Sequence, residues 1–361
     1  MDMQAKRQTL VLVFGGRSSE HEVSLRSATS VLQAVDRERF EVVALGIRRD
    51  GAWVTGPCPD SREATPARLA QLLATGTTVP DLRALGADVV FPLLHGPFGE
   101  DGTFQGLLEV LDLPYVGSGV LGSSLCMDKG VSKQILHHLS PPIPQIPWVE
   151  FDARTRATEM AALGREVAQK LGYPCFVKPA NQGSSVGISR ATTGPQLATA
   201  IELAGRYDAK IVIEKAVDAR EIELAVLGDG GPQTLVSSPG EIVLPPDTWY
   251  DYNTKYVDDV AGLQIPADIP AEVIAQLQTL SLQAFRACGC HGLARVDFLV
   301  ERGTWVPYLN EINTLPGFTT ISMYPKLMGH AGVSYTELIT RLCELALGRH
   351  RQRQALQATR D

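Results

Sequence analysis

The segment TLVLVF, residues 9–14, constrains the fold most. It is followed by a helical pattern through Leu25, Ala28, Leu32 and Val35, then by the apolar runs EVVALGI (41–47) and ADVVFPLL (87–94). Short apolar strands alternating with helices imply a parallel sheet, because each crossover needs a helix to cover a face. LDLPYVGSG (111–119) reads as a further strand and turn. Ligands on such sheets gather at the carboxyl ends of the strands. Both GGRSSEHE (15–22) and HGPFGEDG (95–102) lie there.

With 361 residues the chain is long enough for two or three packed domains. A net charge of -7 gives no electrostatic reason to expect nucleic acid or an anionic membrane as partner. No apolar run approaches the roughly 18 residues of a membrane span. The run after Lys6 and Arg7 is too short for a signal peptide and meets Gly15-Gly16. Six cysteines without a disulfide rhythm fit a reducing compartment, so a cytoplasmic protein is expected. CGCH (288–291) has no second ligand pair at zinc-site spacing and reads as a helix end.

A second unit begins near Cys126. MDKGVSKQILHHL (127–139) reads as a helix with Val131, Ile135 and Leu139 on one face, broken by PPIPQIP. A long helix ending at KLG, the strand CFVKP, a glycine-serine loop, the strand VGISR, another helix and the strand IVIEK complete a small α+β unit. Its glycine loop joins strands and lacks the GK[ST] of a Walker A loop. The last third holds ELAVLG, a proline-rich stretch from Ser237 to Pro270 without regular structure, a helix of about 18 residues, the strands ARVDFLV and WVPYLNEIN, and a final helix.

Those two late strands carry polar residues where apolar ones are expected. Side chains two apart share a face, so Arg295 and Asp297 point one way, as do Leu309, Glu311 and Asn313. A three-residue loop, Glu301-Arg302-Gly303, would make the two faces coincide. Two carboxylates and an amide oxygen are then too few for a calcium cage but suit a magnesium ion that keeps waters and takes substrate phosphates. The other reading is a solvated, salt-bridged face. FVKPANQGSSVG (176–187) offers a lysine and a loop of small residues whose amides can wrap a polyphosphate, and IEKAV (213–217) with Glu221 is a candidate hinge for a nucleobase and its ribose.

Taken together, GGRSSEHEVS, HGPFGEDG, YVGSG, MDK, VKPANQGSSVG, WYDYNTKY, GLARVDF and NEINTLPGFTTISMYP resemble the D-alanine:D-alanine ligases of the ATP-grasp superfamily over nearly the whole chain. The resemblance implies a three-domain α/β ATP-grasp fold. Residues 1–125 would form an N-terminal parallel-sheet domain, 126–217 a central subdomain and 218–361 a C-terminal one, the last two sandwiching ATP under a lid at 237–270.

It also implies the chemistry. ATP turns one D-alanine into an acyl phosphate, which the amine of a second attacks to give a dipeptide for peptidoglycan synthesis. Lys129, Lys178, Ser184, Ser185, Lys255, Asn310 and Glu311 would serve ATP. Glu214, Lys215, Ala216 and Val217 would receive adenine, with Ala216 where some relatives have tryptophan, and Glu221 would bind ribose. Asp297, Glu311 and Asn313 match ligands of two magnesium ions, replaceable by manganese. Glu20, Ser184 and Tyr256 match groups around the first D-alanine, with His95 nearby. Arg295 and the Gly317 N–H match the oxyanion donors, and Ser322, Met323 and Lys255 the second-substrate region. A homodimer is implied as well. The rivals are a D-alanine:D-lactate ligase, which commonly has histidine in place of Tyr256, and a non-catalytic ATP-binding regulator.

Overall fold

The computed structural model describes residues 6–79, 81–154, 157–243 and 262–356. Three sheets organise it. The first contains β1 (Gln8–Gly15), β2 (Phe40–Ile47), β3 (Trp53–Thr55), β4 (Thr77–Thr78) and β5 (Val89–Pro92), in the order β4-β3-β2-β1-β5. As the alternation predicts, β1 runs parallel to β2 and β5, with α1 (His21–Ala34) as the first crossover. Leu10, Leu12 and Phe14 pack towards Leu25, Ala28 and Leu32 of that helix.

Several elements escaped the sequence reading. The antiparallel edge pair β3–β4 is too short to show a period, and α2 (Pro66–Thr75) between them buries only Leu69, Leu72 and Leu73. The strand expected in LDLPYVGSG shrinks to one bridge between Val90 and Tyr115, because Pro114 has no N–H to donate and Gly117 turns the chain at φ +101°. Helices α3 (Thr103–Val110) and α4 (Val120–Met127) follow the first sheet.

The second sheet has the order β6-β9-β7-β8, from β6 (Trp148–Asp152), β7 (Cys175–Pro179), β8 (Ser189–Ala191) and β9 (Lys210–Lys215), all antiparallel. Helices α5 (Lys129–His137), α6 (Ala157–Lys170) and α7 (Gly194–Ala204) belong to this part of the chain. The predicted face of α5 is corrected. Val131, Ile135 and Leu139 are only half-buried, whereas Lys129, Ser132, Lys133 and Leu136 form the buried stripe. Two ammonium groups therefore point inward from one helix.

The third sheet runs β13-β12-β10-β14-β15, with β11 (Leu235–Val236) paired to β10. Its strands are β10 (Ala219–Gly228), β12 (Gly240–Val243), β13 (Gly262–Gln264), β14 (Gly292–Glu301) and β15 (Pro307–Asn313). The proline-rich stretch is thus not without structure: its ends form β12 and β13, which pair with each other. On one face of this sheet α8 (Ala271–Ala287) packs with Ile222, Leu224 and Val226 of β10, while α9 (Met323–His330) and α10 (Tyr335–Gln354) pack with Ala225 and Leu227 on the other. No helix among the described residues is long and apolar enough to cross a membrane.

Candidate active site

The polar face of the third sheet is built by register. Asp297 on β14 pairs directly with Glu223 on β10 and Glu311 on β15, and Arg295 pairs with Ala225 and Asn313. Directly opposite residues in an antiparallel pair share a face, so Glu223, Arg295, Asp297, Glu311 and Asn313 converge. The three-residue hairpin loop expected from the sequence is not what achieves this. Val300 pairs with Pro307, an even position with an odd one, and a bulge at Asn310 restores the coincidence by pairing Phe298 with Leu309 but Asp297 with Glu311. One extra residue on one strand is what such a bulge supplies. It also corrects the expected face: Leu309 does not share one with Glu311 but lies in the core with Ile312, while Asn310 and Glu311 both line the cleft.

Arg295 holds both oxygens of Asp297, at 2.8 and 2.7 Å, and reaches Glu223 at 2.9 Å. Burial works against the charge of this guanidinium, but Asp297 and Glu223 outweigh it and keep its pKa well above the usual value. Asn313 Nδ2 donates to Asp297 Oδ2 at 2.9 Å, and Lys129 Nζ lies 3.3 Å from Glu311. Arg295 and Lys129 thus bridge the three carboxylates. Asp297, Glu311 and Asn313 offer a hard, oxygen-bearing donor set, which fits magnesium. Among the described residues no group of three or more His, Cys, Asp or Glu side chains forms a metal cage. Cys288 and Cys290 instead pack in the core, with Cys290 Sγ 3.5 Å from Cys126 Sγ.

Opposite this face stand Lys178 of the second sheet and Lys129 of α5. A cavity of about 470 Å³ between the two sheets is lined by Lys129, Lys178, Ser184, Ser185, Glu221 and Asn310, among others. Lys178 Nζ lies 2.6 Å from Glu214 Oε2 and 3.3 Å from Asn310 Oδ1. Lys133, which the sequence reading passed over, reaches the other Glu214 oxygen at 2.7 Å. Its signal was present, since it lies one helical turn from Lys129. Burial alone would raise the Glu214 carboxyl, yet the two lysines pull it down to about 2. The Glu214 carboxylate therefore faces ammonium groups, and the backbone from Lys215 to Val217 forms the rim. Lys129 sits at the start of α5, behind the N-cap Asp128, and donates to the Gln182 carbonyl at 2.7 Å.

At the other end, Glu20 caps the approach to α1 and is buried. Ser184, in the glycine-serine loop at φ +50°, donates its hydroxyl to Glu20 at 2.5 Å across 164 positions of sequence. His95 accepts from Ser27 at Nε2 (3.1 Å) and donates from Nδ1 to the Leu315 carbonyl (3.0 Å). Burial lowers its pKa and keeps the ring neutral. Glu100, also missed by the sequence reading, is buried beside Glu20; burial first, then the charge of Glu20, pushes its carboxyl up to about 8. Gly317 lies against Ser322, whose hydroxyl contacts Thr319 at 2.7 Å, and Met323 is buried against Gly240. Lys255 and Tyr256 lie outside the described residues.

Residues 9–118 match the family described as D-ala D-ala ligase N-terminus, and residues 139–344 match D-ala D-ala ligase C-terminus. The chain is 45% identical to a D-alanine–D-alanine ligase of Heliobacterium modesticaldum, covering 96% of this chain and 97% of the relative. It is 45% identical to D-alanine–D-alanine ligase A of Escherichia coli K12, covering 96% and 98%. Among solved structures, the D-alanine-D-alanine ligase from Coxiella burnetii superposes with a TM-score of 0.82 at 31% identity, covering 96% and 97%. The VanG D-Ala:D-Ser ligase from Enterococcus faecalis does so with a TM-score of 0.82 at 31% identity, covering 94% and 100%.

Proposed function

The chain belongs to the D-alanine–D-alanine ligase family, and from this we infer how its three-domain ATP-grasp architecture joins two D-alanine molecules at the expense of ATP. One observation carries the residue assignment. Lys129, Lys178, Asp297, Glu311 and Asn313 converge on one cleft, and the Glu20–Ser184 pair closes the end beside it.

The first D-alanine places its ammonium at Glu20. Its carboxylate oxygen attacks the γ-phosphorus of ATP; the bond to ADP breaks and D-alanyl phosphate forms. Lys129 and Lys178 hold the phosphates, the 215–217 rim receives adenine, and Glu221 receives ribose. Asp297, Glu311 and Asn313 would hold magnesium, two ions in our reading with manganese able to replace them, which would supply neutralisation of charge on the transferring phosphoryl group. The second D-alanine, with its carboxylate at Ser322, loses a proton and attacks the acyl carbon through its amine, expelling phosphate. Arg295 and the Gly317 N–H face the developing oxyanion, where preorganised donors count most. Lys255 and Tyr256 keep the roles that the resemblance implies.

We assign residues 1–125, 126–217 and 218–361 to the three domains, each centred on one of the three sheets. The six cysteines are all free, which supports a cytoplasmic protein. Homodimerisation is supported by the apolar surface of α3 and α4, where Val110 is 84% and Leu121 68% exposed. The deciding experiment is product analysis after mixing ATP and magnesium with D-alanine, L-alanine, D-serine or D-lactate. The expected product is D-alanyl-D-alanine; a depsipeptide formed in preference to it would overturn the choice of nucleophile.

A further inference from the structure

The turn His95–Gly102 holds a buried carboxyl, Glu100, that none of the steps above uses. Gly96 N–H donates to Glu100 Oε1 at 2.8 Å, while the N–H groups of Gly99 and Glu100 both return to the Gly96 carbonyl at 3.1 Å. Glu100 thus ties its own turn shut from inside. Gly96 stands at φ +71°, and a methyl group on it would lie 2.6 Å from Glu20 Oε2. The Gly96 backbone is therefore a wall against which the Glu20 carboxylate rests. Gly183 forms a second wall, since a methyl group on it would lie 3.2 Å from the same oxygen, and Ser184 holds the other oxygen. The turn is anchored elsewhere too: Gly99 is pressed against Leu94, and Ser18 donates to the His95 carbonyl at 2.7 Å while accepting from Glu20 N–H.

We propose that Glu100 is a positioning residue for the first substrate: its oxygen, by fixing Gly96, sets where the Glu20 carboxylate presents itself to the D-alanine ammonium. This rests on the reading that Glu20 binds that ammonium. What the role needs from Glu100 is an acceptor oxygen at the right place, which a glutamine also has. A 1 Å displacement of a binding group can cost about 100-fold, so the effect is large enough to read.

The test isolates the first substrate by replacing the second D-alanine with hydroxylamine, which traps D-alanyl phosphate as the hydroxamate. In E100A, KM for D-alanine should rise about 10- to 100-fold while KM for ATP stays within about threefold of the original enzyme. E100Q should recover most of that loss. G96A, which leaves Glu100 in place but puts a methyl group on the Glu20 oxygen, should reproduce the E100A signature, and this keeps the proposal testable where E100A fails to fold. E100Q as damaging as E100A would overturn the proposal in favour of a role for the charge. E20A raising KM for D-alanine while E100A and G96A do not would overturn it and leave Glu20 standing. No change in any of the three would overturn the Glu20 reading itself.

Discussion

Lys133 and Glu214 form an ion pair at 2.7 Å in which neither side chain is more than 3% exposed. Buried pairs add little over a well-packed apolar pair, but removing one partner strands the other charge, at about 3–5 kcal/mol. Lys178 stays on Glu214 when Lys133 is lost, so K133M should cost about 3 kcal/mol, the low end of that range. Urea unfolding should show a lower midpoint with an unchanged slope. A midpoint matching the original chain would mean that Glu214 needs only one lysine.

The same carboxylate makes stability depend on acid. Glu214 is held at about 2 in the folded protein, below the ordinary value of 4.5. A depressed folded pKa contributes stability that is present above about pH 4.5 and is lost as pH falls towards 2. The gap corresponds to about 3 kcal/mol. E214Q should be less stable at pH 7, where it leaves two lysines without their carboxylate, yet lose less on acidification. Unfolding free energies at pH 2.5, 3.5 and 5 for both proteins check this; parallel pH curves would remove Glu214 from acid sensitivity.

These two residues also show what the sequence made legible. Alternation on a strand exposed the polar face of Asp297, Glu311 and Asn313, because a period of two needs only one strand to be seen. The same rule puts Glu223 on one face of β10 with Glu221, but the apolar run after it hides the period of two. On α5 the rule misled. Val131, Ile135 and Leu139 form an apolar stripe, yet the helix buries its lysine side because Glu214 waits there, and a partner 81 positions away leaves no trace in local sequence. The β14–β15 register was unreadable for a similar reason, since pairing across a bulge depends on both strands at once.

The acidic face should be needed for turnover more than for folding. D297N and E311Q keep side-chain shape while removing a carboxylate charge. Losing several kcal/mol of transition-state stabilisation should lower kcat about 1000-fold or more. Arg295 would still have Glu223, so the melting temperature should fall only modestly. Chelation of divalent metal should abolish activity in the original chain, and added magnesium should restore it. Original turnover rates in either variant would remove these residues from the metal site.

Lys129 occupies an unfavourable place, since a cation in the first turn of a helix opposes the helix dipole by about 0.3–1 kcal/mol. K129M relieves that cost while losing the bond to the Gln182 carbonyl, worth about 1.5 kcal/mol, and the 3.3 Å ion pair with Glu311. Stability should therefore fall by only about 1–2 kcal/mol. KM for ATP should nevertheless rise about tenfold or more, because a phosphate contact is lost. Thermal melting beside ATP titration separates the two readouts. A large stability loss with unchanged KM would make Lys129 a structural residue.

The bulge at Asn310 permits the sharpest separation of register from contact. Deleting Asn310 makes Phe298–Leu309 and Asp297–Glu311 successive pairs. Alternation then still buries Leu309 and Ile312 and still turns Glu311 and Asn313 to the cleft. What disappears is the amide that Lys178 donates to at 3.3 Å, together with the extra local twist of the bulge. N310A removes the amide alone and keeps the bulge. If contact is what matters, both variants should fold and both should raise KM for ATP about fivefold, the equivalent of about 1 kcal/mol for one hydrogen bond. If the twist aims Glu311 at the metal, the deletion alone should collapse kcat while N310A stays near the original value. We expect the first pattern, because the cross-strand neighbours of Glu311 are the same with or without the extra residue. A folded deletion variant with no turnover, beside an active N310A, would show instead that the bulge sets the direction of the Glu311 carboxylate.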